Sequence, residues 1–261
     1  MIIDWTQILA AVWRPQQAVL RPVQAIDPVS LDSLVGIERQ KHALLRNTER
    51  LLAGLPANNA LLWGARGTGK SSLVKALLNA CGARGLRLVQ VHRTDLYSLP
   101  DIVDGMRELS QKFIVYCDDF SFELNDDAWI GLKTVLDGSI EQPPDNVLIY
   151  ATSNRRHLLP ESMQDNLDSK YANGELHYAD AIEEKLSLSD RFGLWLSFYA
   201  PNQDDYFAIV DSYFPDYPGD RAQLHAAAKR FALARGGRSG RAARQFYNAY
   251  SAANGELDSD E

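Results

Sequence analysis

The sequence predicts an α/β protein: a parallel sheet, doubly wound with helices on both faces, flanked by a helical N-terminal extension and a helical C-terminal lid. Three observations carry that reading. Short apolar runs alternate with helix-period segments from residue 58 onward. The runs are near-continuous rather than alternating, as in strands buried on both faces. One strand-to-helix junction, Gly64-Ala65-Arg66-Gly67-Thr68-Gly69-Lys70-Ser71, has the full G-x-x-x-x-G-K-[ST] spacing of a loop that cradles phosphate.

Taken in order, residues 2–14 read as an amphipathic helix, with Trp5, Ile8, Leu9, Val12 and Trp13 on one side and Pro15 ending it. Residues 21–30, with Pro22 and Pro28, read as an extended connector, so that 1–30 form an N-terminal helix and linker. Leu34 to Gln40 lead into a helix running to about Leu52. Strands are expected at 60–63, 86–91, 113–118, 147–151 and 194–199, and helices at 70–80, 99–111 and 126–138. Together these make a nucleotide-binding domain over 31–200. Residues 160–189 break the rhythm with Asp165, Asp168, Asp180, Glu183 and Glu184 among Asn, Ser and Gly, and read as an exposed, mobile insertion. Helices at 203–213, 221–235 and 240–252 form the lid over 201–261, which closes on an acidic tail, Glu256 to Glu261.

The phosphate loop has a physical logic. Glycines let the backbone bring several N–H groups onto one anion. The helix that follows adds unpaired N–H groups and a positive dipole end. Lys70 is expected on the β- and γ-phosphates and the Ser71 hydroxyl on Mg2+, with Ser72 beside it. Arg66 either touches phosphate or points to solvent.

A second acidic site follows an apolar strand. Asp118, at the strand end beside the loop, is placed to hold the metal through water. Asp119 is placed to orient or deprotonate an attacking water, with Glu123 a second candidate base. Asn154, after the strand 147–151, either holds that water or caps a turn. His42, His92, His177 and His225 have no metal-ligand spacing, and Arg155-Arg156-His157 read as a solvated loop.

Composition sets bounds. A net charge of −7 argues against general, sequence-blind nucleic-acid binding, which needs a basic face. Cys81 and Cys117 lie in apolar stretches and are expected reduced and buried. Met1-Ile2-Ile3-Asp4-Trp5 has no basic leader character, and no uncharged run approaches the ~20 residues of a membrane span. The expected setting is cytoplasmic, with no membrane partner.

The order of these motifs resembles the AAA+ ATPases across about residues 31–252. Leu55 to Asn59, Ala151 to His157, and Leu188 to Leu194 are similar to a bacterial family of AAA+-like proteins that carries a domain-of-unknown-function label. The AAA+ resemblance implies strand order 5-1-4-3-2, ATP and Mg2+ as ligands, and a homo-oligomer. It implies an adenine pocket at Val35-Gly36-Ile37, sensor 1 at Asn154, an arginine finger at Arg191 and sensor 2 at Arg241. Two features depart from the pattern: Asp119 stands where a glutamate is usual, and an acidic insertion precedes Arg191.

Arg235, Arg238, Arg241 and Arg244 crowd the start of the last helix, where the dipole disfavours cations. An anionic partner offsets that cost: the γ-phosphate, with Arg241 best placed, or nucleic-acid phosphates. A solvated face is the third possibility. The activity expected is Mg2+-dependent ATP hydrolysis driving a conformational switch on an unknown protein client. The alternatives are an ATP-dependent interaction module with little turnover and a nucleic-acid remodelling or loading ATPase.

Overall fold

A computed structural model describes residues 3–120, 129–137, 142–154 and 188–255. Glu123, Arg155, Arg156, His157, the acidic tail and nearly all of the 160–189 segment lie outside them.

Five parallel strands form the frame: β3 (Ala60–Gly64), β4 (Leu86–Val91), β5 (Lys112–Cys117), β6 (Val147–Ser153) and β7 (Leu194–Phe198). Their spatial order is β4-β5-β6-β3-β7, which reproduces the expected 5-1-4-3-2 read from the other edge. Helices α1 (Glu38–Leu52) and α2 (Lys70–Cys81) cover one face. There Leu44, Leu73 and Leu77 pack on Leu62, Ile114 and Tyr150. Helices α3 (Leu99–Asp104) and α4 (Trp129–Asp137) cover the other, with Ile102 and Leu132 against Val89, Val115 and Ile149. The α3 helix stops short of the expected 111, at Gly105. Both cysteines are free and buried.

The expected N-terminal helix is a correction. Ala10–Arg14 are a strand, β1, and Val19–Pro22 a second, β2, joined by a turn in which Ala18 takes φ 47°. The apolar positions of 2–14 suit either period. The exposed backbone edge of β4 selects the strand, because an unpaired edge leaves its N–H and C=O groups without partners. β1 runs parallel to β4, with Ala10 opposite Leu88, and antiparallel to β2. Among the described residues the sheet therefore has seven strands. Trp5 is buried edge-on against Phe113, ring centroids 5.0 Å apart.

Arg87 ties this segment down. The residue is 6% exposed, and its guanidinium donates to the carbonyls of Trp5, Gly82 and Leu86 at 2.5, 2.9 and 2.7 Å. Three acceptors, one from the N-terminal segment and two from the turn and start of β4, meet on one planar donor.

The lid consists of α5 (Gln203–Tyr213), α6 (Arg221–Ala234) and α7 (Gly240–Gly255) around Tyr206, Leu224, Ala228 and Phe246. No helix among the described residues is long and apolar enough to cross a membrane.

Replacing Arg87 with Met keeps the bulk and removes the donors, leaving buried carbonyls unpaired. The expected loss is about 3 kcal/mol in urea unfolding, with faster proteolysis before residue 25. An unchanged midpoint would show that the hairpin docks without it.

Candidate functional site

Parallel strands bring their carboxyl ends to one rim, where the loops that follow them converge. The phosphate loop leaves β3 there. Gly64 takes φ 134°, and a Cβ on it would stand 1.9 Å from the Phe198 carbonyl oxygen of β7, so only glycine fits. Gly69 takes φ 93° and opens α2 at Lys70, whose first N–H groups have no partner within the helix.

The Lys70 side chain turns back over the loop. Its Nζ donates to Gly64 O at 2.8 Å, Ala65 O at 2.6 Å and Asn154 Oδ1 at 3.4 Å. Burial is the main reason its pKa falls to about 8. Asp118 and Asp119 oppose the fall, and the charges of Arg66 and Arg241 add to it.

The acidic site lies one strand-pair away. Cys117 of β5 is level with Ala151 of β6, so Asp118 and Thr152, one residue further on, stand side by side. Asp118 Oδ1 accepts from Ser71 Oγ at 2.8 Å, Thr152 Oγ1 at 2.5 Å and the Asp119 N–H at 3.1 Å. Burial alone would raise the Asp118 carboxyl; these donors outweigh it and hold it below the usual carboxylate range. Asp119 has φ 52°, a left-handed turn that aspartate tolerates, and its N–H also reaches Thr152 Oγ1 at 3.0 Å. Its carboxylate accepts from Asn154 Nδ2 at 2.5 Å. Lys70, Asn154 and Asp119 thus form one hydrogen-bonded line.

The lid sits on the same rim. The Gly240 N–H, at the start of α7, donates to Gly67 O at 2.9 Å. Ser239 caps that helix through the Ala242 N–H, and a Cβ on Gly67 would meet Ser239 at 3.1 Å and Arg241 at 3.2 Å. At the other end, Ile37 approaches Gly69, and Asp205 in the first turn of α5 approaches Gly36. Val35 is half-buried beside them. The segment 35–37, the loop 64–71 and the lid therefore lie against one another.

The residues suit a triphosphate with a divalent cation: a loop with free helix-end donors, a hydroxyl in contact with a carboxylate, and cations around both. Ser71 and Asp118 would hold the cation.

The structure brings together Gly64, Gly67, Thr68, Gly69, Lys70, Ser71, Asp118, Asp119, Asn154 and Arg241, with exposed Arg66 close enough for its charge to act on Lys70. Ser72 follows in the first turn of α2. Arg191 is ion-paired with Asp137, the last residue of α4, within the same chain. Sequence reasoning missed Thr152, Ser239 and Asp205. Thr152 was within reach of it: it stands two residues before Asn154, on the same side of a strand.

No curated protein matches the sequence. Among solved structures, a point mutant of RuvB from Thermotoga maritima superposes with a TM-score of 0.57 at 17% identity, over 85% of this chain and 65% of that one. A second RuvB point mutant from the same organism gives 0.51 at 14% identity, over 85% of this chain and 72% of that one. The chain spans just under two thirds of the first of these proteins, and the likeness is one of fold. A family model described as "Protein of unknown function (DUF815)" matches residues 6–254. With that match running through both sheet and lid, the chain belongs to the DUF815 family and has the AAA+ P-loop fold.

Proposed function

We propose that this protein is an ATPase that binds ATP with Mg2+ and couples its hydrolysis to a conformational switch on a protein client. The observation that carries the proposal is the hydrogen-bonded line Lys70–Asn154–Asp119 lying between the phosphate loop and the Ser71–Asp118 pair, with the lid on the loop apex.

Lys70 would exchange two neutral carbonyl acceptors for phosphate oxygens, which are stronger acceptors for an ammonium. When bound, Mg2+ would neutralise charge on the β- and γ-oxygens. Asp119 would accept a proton from the attacking water, and Asn154 would hold either that water or the Asp119 carboxylate. Arg241 would place positive charge at the γ-phosphate. Arg191, once released from Asp137, would serve the nucleotide of a neighbouring copy in a homo-oligomer. A slow switch is the second reading, favoured by Asn154 holding Asp119. Nucleic acid as client rests on the exposed Arg235, Arg238 and Arg244 alone. Phosphate release with and without nucleic acid separates these readings.

Three measurements test the site. Asp119→Asn is expected to leave nucleotide affinity intact and lower turnover by on the order of 10²; full turnover would remove Asp119 as the base. The second concerns pH. Lys70 loses its proton as pH rises through about 8, whereas phosphate favours the charged form. Binding above that pH must take up a proton, so affinity should fall by up to about tenfold per pH unit there and be level below it. Calorimetric titration across this range checks it, and a flat profile would contradict it. Third, mixing Lys70→Ala with Arg191→Ala chains should restore activity that neither has alone. No recovery would mean that Arg191 works within its own chain.

A further inference from the structure

One buried polar group beside the candidate metal site has no partner. Tyr116 is 3% exposed, and its side chain lies on the face of β5 covered by α2, among the residues packed around Leu73, Leu77 and Ile114. Asp118 follows two residues later and so stands on the same face. The phenolic hydroxyl faces Ser71, Asp118 and Thr152 but makes no hydrogen bond of acceptable geometry with any of them. Leaving a buried hydroxyl unpaired is destabilising, and phenylalanine would fill the same volume without that cost.

The hydrogen bonds around Asp118 suggest what the hydroxyl serves. The three donors from Ser71, Thr152 and the Asp119 N–H all fall on Oδ1, and no described residue donates to Oδ2. A carboxylate that supports a cation binds best when its outer hydrogen bonds fix its orientation. The donors on Oδ1 anchor one oxygen only, leaving the tilt of the group about that anchor unset. Among the described residues, Tyr116 brings an uncommitted donor to the same place.

We propose that Tyr116 is a positioning residue for the divalent cation: its hydroxyl holds the Asp118 carboxylate, or a water bound to it, in the orientation that the cation requires. This rests on the ATPase reading above, and it concerns cation affinity rather than nucleotide affinity.

The test uses the full chain and a fluorescent ATP analogue, titrated in Mg2+ and again in EDTA. Wild type, Tyr116→Phe and Ser71→Ala are compared, together with their melting midpoints. For Tyr116→Phe the EDTA affinity should stay within about twofold of wild type, while the gain on adding Mg2+ should shrink by about tenfold, the usual size of an outer-shell loss. Its midpoint without nucleotide should equal or exceed that of wild type. A full Mg2+ gain in Tyr116→Phe overturns the proposal. So does an equal loss in Mg2+ and EDTA with a lowered midpoint, which marks a packing role only. Ser71→Ala should abolish the gain. If wild type itself binds no nucleotide, or gains nothing from Mg2+, the ATPase reading fails and takes this inference with it. A gain that depends on Ser71 and not on Tyr116 refutes this inference alone.

Discussion

One carboxylate oxygen organises the rim of this sheet. Asp118 Oδ1 takes a hydrogen bond from α2, one from β6 and one from the residue that turns away from β5. Each donor belongs to a different stretch of chain, so the three elements are held in register at the point where their side chains must act together. Burial works against a charge at that depth, and the convergence of donors holds the carboxyl below the usual carboxylate range. Lys70 is under the opposite stress: burial disfavours its ammonium, and the two aspartates oppose that effect. The Asp118 charge thus favours the ammonium without a hydrogen bond to it.

The lid extends this arrangement. Its contact with the loop is through main chain, Gly240 N–H to Gly67 O, and side-chain substitution leaves those atoms in place. What substitution can alter is the fit around them. Gly67 leaves room for Ser239 and Arg241, and a side chain there would push the helix end away from the loop. Loop and lid positions are thereby linked at a single residue, so a displacement of the loop apex would be felt at the start of α7.

How much was legible in the sequence follows from how local each signal is. The phosphate loop could be read because its glycines, lysine and hydroxyl occupy consecutive positions. The acidic pair was readable for the same reason, and the order of β4 through β7 came with the family resemblance. Thr152 and Tyr116 were not read, since their importance depends on strand register, which brings Asp118 level with a neighbour. Arg191 was visible as an arginine ahead of a strand, but its partner Asp137 is set by how α4 packs. The N-terminal segment misled because Trp5, Ile8, Leu9, Val12 and Trp13 satisfy a helical stripe, while the free edge of β4 that selects a strand lies far along the chain.

That edge pairing has a consequence for how the molecule is made. β1 precedes its partner β4 by all of α1, β3 and α2. Until Leu86–Val91 emerge, β1, which carries Trp13 and follows Trp5, has no parallel partner on its inner side. Closing so long a loop is entropically slow, and the waiting strand is open to pairing with another chain. The early hairpin with β2, closed by Pro15 and ending at Pro22, gives β1 one neighbour from the outset and leaves a short, proline-ended strand on its outer side. The hairpin thus covers one edge of β1 by a local contact as well as bordering the finished sheet.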